Sequence, residues 1–226
     1  MRILSIGTAI IHETLDITTI TYHALQTATD LTTYDYIIIS GGDGTIRRTI
    51  QALHHLSDCV TFILNPIGSF NVVAKMHRVK PLQIVLDRLA KGETLTRKNH
   101  PYFSLNQEIF LFSAGNMGDL QHIFLAETLR FGILKNNMGK YILAILILLP
   151  LHLVITPFML MSQNRFFIFT PLRWITKLGS FYGKVDKEIT ITLENNYNHI
   201  ELDGDIVTIE ENTLHIKPAG DFFIAT

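Results

Sequence analysis

Apolar residues along this chain follow two rhythms, and the change from one to the other divides the sequence. Up to about residue 94, short unbroken apolar runs alternate with stretches of helical spacing. Met1 to Gly7 (MRILSIG) and Leu15 to Tyr22 (LDITTITY) read as strands rich in β-branched residues. Thr21 to Thr33 reads as a short helix or turn. Tyr36 to Ser40 contains Ile37, Ile38 and Ile39, a run that suits a strand buried on both faces in the middle of a parallel sheet. Val60 to Asn65 (VTFILN) repeats the pattern. Helical spacing predicts elements over 45–56, after the turn at Gly68 and Ser69, and over Pro81 to Lys91, where apolar residues at 82, 85, 86 and 89 share one face and Gly92 ends the run. Two successive strand, glycine-turn, helix units predict a doubly wound, mostly parallel α/β sheet with its site at the carboxyl ends of the strands.

Beyond residue 94 the segments 94–98, 102–105, 108–114, 165–170, 188–193, 198–202 and 206–216 cluster or alternate apolar residues at strand length, with Asn, Asp and Gly between them. They predict a β-rich second lobe whose helical exceptions are Leu120 to Phe131 and Lys140 to Leu149.

Composition narrows this picture. A chain of 226 residues is long enough for a substantial core in one large or two small domains. A net charge of −1 and a pI near 6.8 exclude bulk electrostatic steering, so nucleic acid is not an expected partner. The single cysteine, Cys59, excludes an intrachain disulfide, fits a reducing compartment, and is expected as inert packing rather than as a nucleophile. Residues 1–20 lack a signal-peptide pattern because His12, Glu13 and Asp16 interrupt any apolar core, and the expected location is cytoplasmic. The mean hydropathy of +0.26 is high and is concentrated in Tyr141 to Met161. Pro150, His152 and Pro157 interrupt that run, so a buried helix or an apolar surface for peripheral membrane contact is preferred over a membrane span.

Candidate chemistry begins at the turn after the Ile37–Ile39 strand. GGDGT at 41–45 places Gly41, Gly42 and Gly44 before a helix starting near Thr45, an arrangement that aims free N–H groups and a helix dipole at an anion. Asp43 inside such a turn repels phosphate unless it holds a divalent metal or orients a hydroxyl. NPIGSFN at 65–71 follows the adjacent predicted strand, so the two turns should lie side by side, with Thr45, Ser69 and Asn71 adding hydroxyl and amide contacts to a di- or triphosphate. Far downstream, HIELDGDIV at 199–207 contains Asp203, Gly204 and Asp205. An Asp-Gly pair is the commonest type I′ hairpin turn, while phosphoryl transfer also needs a carboxylate to accept a hydroxyl proton and others to hold Mg²⁺. Both readings stay open. Arg47 and Arg48 are open to binding phosphate or to forming a solvated face. His54, His55, His77 and His100 lack metal-ligand spacing and are expected as solvated helix or loop residues. Trp174, between Arg173 and Lys177, is read as an interfacial or core anchor.

GGDGT, a following G-[ST]-x-N turn and a late DG-[DE] in a β-rich lobe together resemble the diacylglycerol kinase catalytic-domain family of bacterial lipid kinases and sphingosine kinases, and more distantly the NAD kinases. Between these anchors, IFLFSAGNMGD at 109–119, LKNNMGKYILAILILL at 134–149 and the closing HIELDGDIVTIEENTLHIKPAG at 199–220 are similar to further family segments. The resemblance implies an ATP-binding α/β lobe over 1–95 and a β-sandwich-like lipid or acceptor lobe over 96–226, with the last strands free to return to the first lobe. It implies transfer of the γ-phosphoryl of ATP, with Mg²⁺, to a diacylglycerol-like or related lipid hydroxyl. Gly41, Gly42, Gly44 and Thr45 would contact the phosphates, Gly68, Ser69 and Asn71 would line the nucleotide site, and Asp43 would sit at the phosphates. Asp203 matches the proposed general base, and Asp205 stands where the family usually has glutamate. No metal ligand set is implied. The family usually continues GGDGT with x-N-E-[VT], where this chain has Ile46, Arg47, Arg48 and Thr49, and Val72 stands where the second turn often has aspartate. A catalytically impaired nucleotide- or lipid-binding member is therefore an alternative. NAD kinase is a second, less favoured because the second turn reads G-S-x-N.

Overall fold

A computed structural model describes residues 1–25, 31–56, 59–68, 70–116, 154, 157–158 and 160–226. It divides into two units, residues 1–111 with 217–226, and residues 112–216.

In the first unit the strands are β1 (Ile3–Ile6), β2 (Ile17–Ile20), β3 (Tyr36–Gly41), β4 (Thr61–Pro66), β5 (Arg97–Leu105) and β6 (Glu108–Phe110). Its helices are α1 (Tyr22–Leu25), α2 (Asp43–Leu53), α3 (Val72–His77) and α4 (Leu82–Ala90). The last strand, β14 (Thr213–Ala225), enters this sheet, whose order is β2-β1-β3-β4-β14-β5-β6. β1 pairs in parallel with β2 and β3, and β4 with β3 and β14. The doubly wound parallel sheet expected from the sequence is present. Ile37, Ile38 and Ile39 are at most 1% exposed and pair with Phe62, Ile63 and Leu64 of β4. Because strand side chains alternate, Ile38 and Ile63 face Val85, Leu86 and Leu89 of α4, while Ile37 and Ile39 point to the other face. Gly92 follows α4 with a φ of +75°, the left-handed conformation that ends a helix at low steric cost.

The division falls after Leu111 rather than at residue 95. The cause is the β5–β6 hairpin, which extends the first sheet beside β14. Segments 94–98 and 102–105, read separately, lie mostly in the one strand β5. Segment 206–216 is likewise broken by a turn. Cys59 is exposed rather than packed, because it sits in the turn just before β4.

In the second unit the sheet runs β13-β12-β7-β8-β10-β9, where β7 is Ser113–Gly115, β8 is Phe167–Phe169, β9 is Lys177–Leu178, β10 is Phe181–Tyr182, β12 is Asn198–Leu202 and β13 is Asp205–Ile209. β11 (Ile189–Thr192) pairs with the opening residues of β14. Phe166, Ile168, Ala114, Ile200 and Leu202 form buried positions of this β-rich unit. The helices expected at 120–131 and 140–149, and most of the apolar run at 141–161, lie outside the described residues. No helix among the described residues is long and apolar enough to cross a membrane.

His77 and His100 depart from the expectation of solvated histidines. His77 Nε2 and His100 Nδ1 are 2.8 Å apart, and His100, 2% exposed, stacks edge-on against Phe222. Burial and then the neighbouring His77 push the His100 pKa down to about 3, against a backbone hydrogen bond at Leu111 that acts in the opposite sense. Burial and then Lys98 lower His77 as well. Between about 3 and the ordinary 6.5, therefore, the unfolded chain binds a proton at residue 100 that the folded chain does not. Stability is full above that window and falls as the pH drops through it, with a limiting slope of about 1.4 kcal/mol per pH unit for one group. Denaturant titrations from pH 7 to 4 should show this loss, and His100→Phe should flatten it.

Candidate functional site

The site is built on the carboxyl ends of β3 and β4, neighbouring parallel strands in which Gly41 pairs with Pro66. Gly42 is the N-cap of α2 with φ −90° and ψ −174°, and no side chain caps the helix. The amides of Asp43, Gly44 and Thr45 open the helix and have no carbonyl behind them within it; the first helical bond is Ile46 N–H to Gly42 O at 3.1 Å. A Cβ on Gly41 would lie 2.5 Å from the Thr45 side chain, which folds back over the turn. The second turn presses against the first. A Cβ on Gly68 would come within 2.6 Å of Gly42 Cα, so the two glycines bring backbone against backbone.

Asn71 and Asp43 fix this contact. Asn71 adopts a left-handed φ of 49°, accepts the Gly68 N–H at Oδ1 and donates Nδ2 to Gly68 O, closing the second turn on itself. The buried Asp43 carboxylate accepts the N–H of Val72 at 2.7 Å and of Val73 at 3.0 Å, one on each oxygen. It thereby caps α3 from the first turn of α2, and the first-turn amides of α3 supply the positive partner that a carboxylate beside an anion site needs. The structure brings Gly41, Gly42, Gly44, Thr45, Gly68 and Asn71 together with Asp43; Ser69 lies outside the described residues.

The arginines after GGDGT separate. Arg48 is exposed, as a solvated residue would be. Arg47 is 3% exposed and its Nη1 donates to Glu108 Oε2 at 3.0 Å. Neither sequence reading of Arg47 holds: it is the buried member of a partly exposed ion pair tying α2 to β6, and Gln51 Nε2, bonded to Gln107 O at 3.4 Å, adds to the same attachment.

Asp203 and Gly204 form the two-residue loop between β12 and β13, where Leu202 pairs with Asp205. Their φ values of 52° and 90° give the type I′ turn that an Asp-Gly pair favours. Unlike an ordinary hairpin tip, Asp203 is only 4% exposed. The hairpin lies against β7, Asp203 N–H donates to Ser113 O, and Asp203 Oδ1 accepts the N–H of Phe112 and of Ser113, each at 2.9 Å. Asp205 is half-buried at the start of β13. Asp203 belongs to the second unit and both glycine turns belong to the first.

Sequence reasoning missed the link from Asp43 to Val72 and Val73, since no local pattern joins residues so far apart. It also missed Glu108 as the partner of Arg47. No three His, Cys, Asp or Glu side chains converge on a candidate cation site among the described residues.

The contact between turns gives a comparison at matched chemistry. Gly68→Ala places its Cβ against unyielding backbone and should destabilise by about 1–3 kcal/mol, whereas Gly42→Ala, whose Cβ would sit 3.4 Å from Gly68 Cα, should be milder when their melting temperatures are compared. Asp43→Ala should lower stability by roughly 1–3 kcal/mol and accelerate amide exchange at Val72 and Val73, while Asp43→Asn, which keeps one good acceptor, should fall between.

Comparison with known proteins agrees with this geometry. Residues 8–98 match the family described as Diacylglycerol kinase catalytic domain. No curated protein matches the chain. A diacylglycerol kinase from Bacillus anthracis str. Sterne superposes with a TM-score of 0.55 at 15% identity, covering 99% of this chain and 95% of its own, a likeness of fold. An NAD kinase from Archaeoglobus fulgidus, solved in complex with ATP, aligns at 13% identity with a TM-score of 0.49 over 100% of this chain and 92% of its own, too low to bear on the fold. The matched stretch, residues 8–98, holds both glycine turns.

Proposed function

We propose that this protein is an ATP-dependent kinase that phosphorylates a lipid hydroxyl of the diacylglycerol class or a related lipid alcohol. The observation that carries the reading is the side-chain-free contact of Gly42 with Gly68 beside the open N-terminus of α2, which suits the phosphates of a nucleotide. Gly41, Gly44 and Thr45 line the same end of α2, and Asn71 with Asp43 holds the second turn against it. Ser69 is proposed to add a hydroxyl contact.

In the proposed reaction the lipid oxygen forms a bond to the γ-phosphorus, the bond from that phosphorus to the β–γ bridging oxygen breaks, and ADP departs. The hydroxyl proton goes to a carboxylate, for which Asp203 is proposed, with Asp205 beside it. The two N–H groups on Asp203 Oδ1 orient that carboxylate. Asp43, both of whose oxygens already accept backbone N–H, acts in this reading by positioning α3 and the second turn rather than by taking a proton. The described residues provide no cluster of three His, Cys, Asp or Glu side chains for Mg²⁺, which would come with the nucleotide phosphates and offset their charge.

A specific observation favours the impaired alternative, in which the chain binds nucleotide or lipid without turnover. Arg48 is an exposed base where the resembled family usually keeps an acid, and the N–H of Val72 is directed at Asp43.

Transfer of labelled γ-phosphate from ATP to a panel of lipid alcohols tests the two readings. Transfer is expected, with a loss of about 10²–10⁴-fold in Asp203→Asn. Asn tolerates the left-handed φ and still offers Oδ1 to Phe112 and Ser113, so that variant should fold normally. Thermal stabilisation by ATP with no transfer to any lipid would establish the impaired reading instead, and formation of NADP from NAD would establish an NAD kinase.

A further inference from the structure

The second glycine turn carries apolar surface that the core leaves in solvent. Ile67 and Phe70 bracket Gly68, the glycine that meets Gly42, and are 65% and 64% exposed. Single exposed apolar residues need no explanation, but these two share one short turn beside the open N-terminus of α2. The backbone that bears them is fixed. Ile67 N–H donates to Gly41 O at 3.3 Å, and Phe70 leads into Asn71, whose left-handed φ and two side-chain bonds to Gly68 close the turn.

Phe70 differs from the other phenylalanines of its unit. Phe62 meets Phe222 edge-on, Phe103 stacks on Phe110, and the Arg97 guanidinium lies 4.1 Å from the Phe223 ring centre. Among the described residues no ring or cation lies against Phe70. A large ring held in water next to donors for an anion suits a ligand with both an anionic part and a flat apolar part. Nucleotides join the two through one sugar, and the Cα atoms of Gly68 and Phe70, two residues apart, are separated by at most about 7 Å. An acyl chain would instead need a continuous apolar trough, whereas the immediate neighbours of Phe70 are Ser69 and Asn71. An aromatic side chain takes a base by stacking, because every base has a π-face.

We propose that Phe70 is the platform on which the base of the nucleotide stacks, with Ile67 completing the apolar rim on the other side of Gly68. The inference rests on the nucleotide-binding reading of the two glycine turns, and it adds how the base is held: by its face, through the residue at the open position of the G-[ST]-x-N turn. Calorimetric titration with ATP and with inorganic tripolyphosphate, which has the phosphates and no base, separates the two claims. Phe70→Ala should weaken ATP by about five- to 150-fold, the range for removing one aromatic from beneath a base, and leave tripolyphosphate unchanged. Phe70→Leu, apolar but not flat, should lose most of the same affinity, and Phe70→Tyr should keep it. The ring is exposed, so these variants should fold as the parent does. ATP binding that Phe70→Ala leaves unchanged, or an equal loss for tripolyphosphate, would overturn the platform and leave the nucleotide reading standing. A parent protein that binds neither ligand would overturn both.

Discussion

Two backbone turns can lie against each other only if the helices that leave them are fixed, and here that constraint falls on the Asp43 carboxylate. It sits in the first turn of α2 and receives the opening amides of α3. One side chain thus sets the spacing of both glycine turns. A carboxylate in this place would be unfavourable if it faced an anion alone, since like charges in a partly dry site repel strongly. Taking two backbone donors first turns that liability into a brace, and the N-terminus of α2 is left to present donors outward.

α3 shows why the brace matters. A helix of six residues is too short to persist by propensity alone, because nucleation is unfavourable and few internal bonds follow. Its ends supply what its length cannot. Asp43 holds the N-terminus; at the other end Arg78 adopts a left-handed φ of 53° and donates its N–H to the carbonyls of Ala74 and Lys75. Lys98 Nζ donates to His77 O, and His77 meets the buried His100. α2 is secured by a different device, the ion pair from Arg47 to Glu108. Such a pair contributes little net stability compared with apolar packing, but removing Glu108 would leave the buried Arg47 charge without this partner, so the pair fixes register more than it adds strength.

Much of this was legible in the sequence wherever the physics was local. The Ile37–Ile39 run and VTFILN announce buried parallel strands, glycines after each announce turns, and Asp203 with Gly204 announces a hairpin, because each signal depends on a few adjacent residues. The links between elements were not legible. Asp43 with Val72, Arg47 with Glu108, and His77 with His100 join residues whose separation obeys no helical or strand period. Histidines in polar surroundings of the sequence looked solvated, yet β5 carries His100 inward against Phe222. β5 itself was read as two pieces because Pro101, which has no N–H for a ladder, interrupts its pattern. β9 and β10, each of two residues, fall below the length at which alternation can be recognised.

The contact of Gly42 with Gly68 also bears on how this chain can change over time. Its walls are main chain, so in the proposed reading its preference for an anion is encoded in peptide dipoles that nearly every sequence shares. Side chains around it, such as Arg48 and Val72, can therefore drift in charge and polarity while the contact between the two turns is kept. Bulk alone can abolish it, by placing a single carbon between the two turns. In the proposed reading, chemical discrimination and anion binding are separable traits of the site, because side chains carry the first and main chain the second.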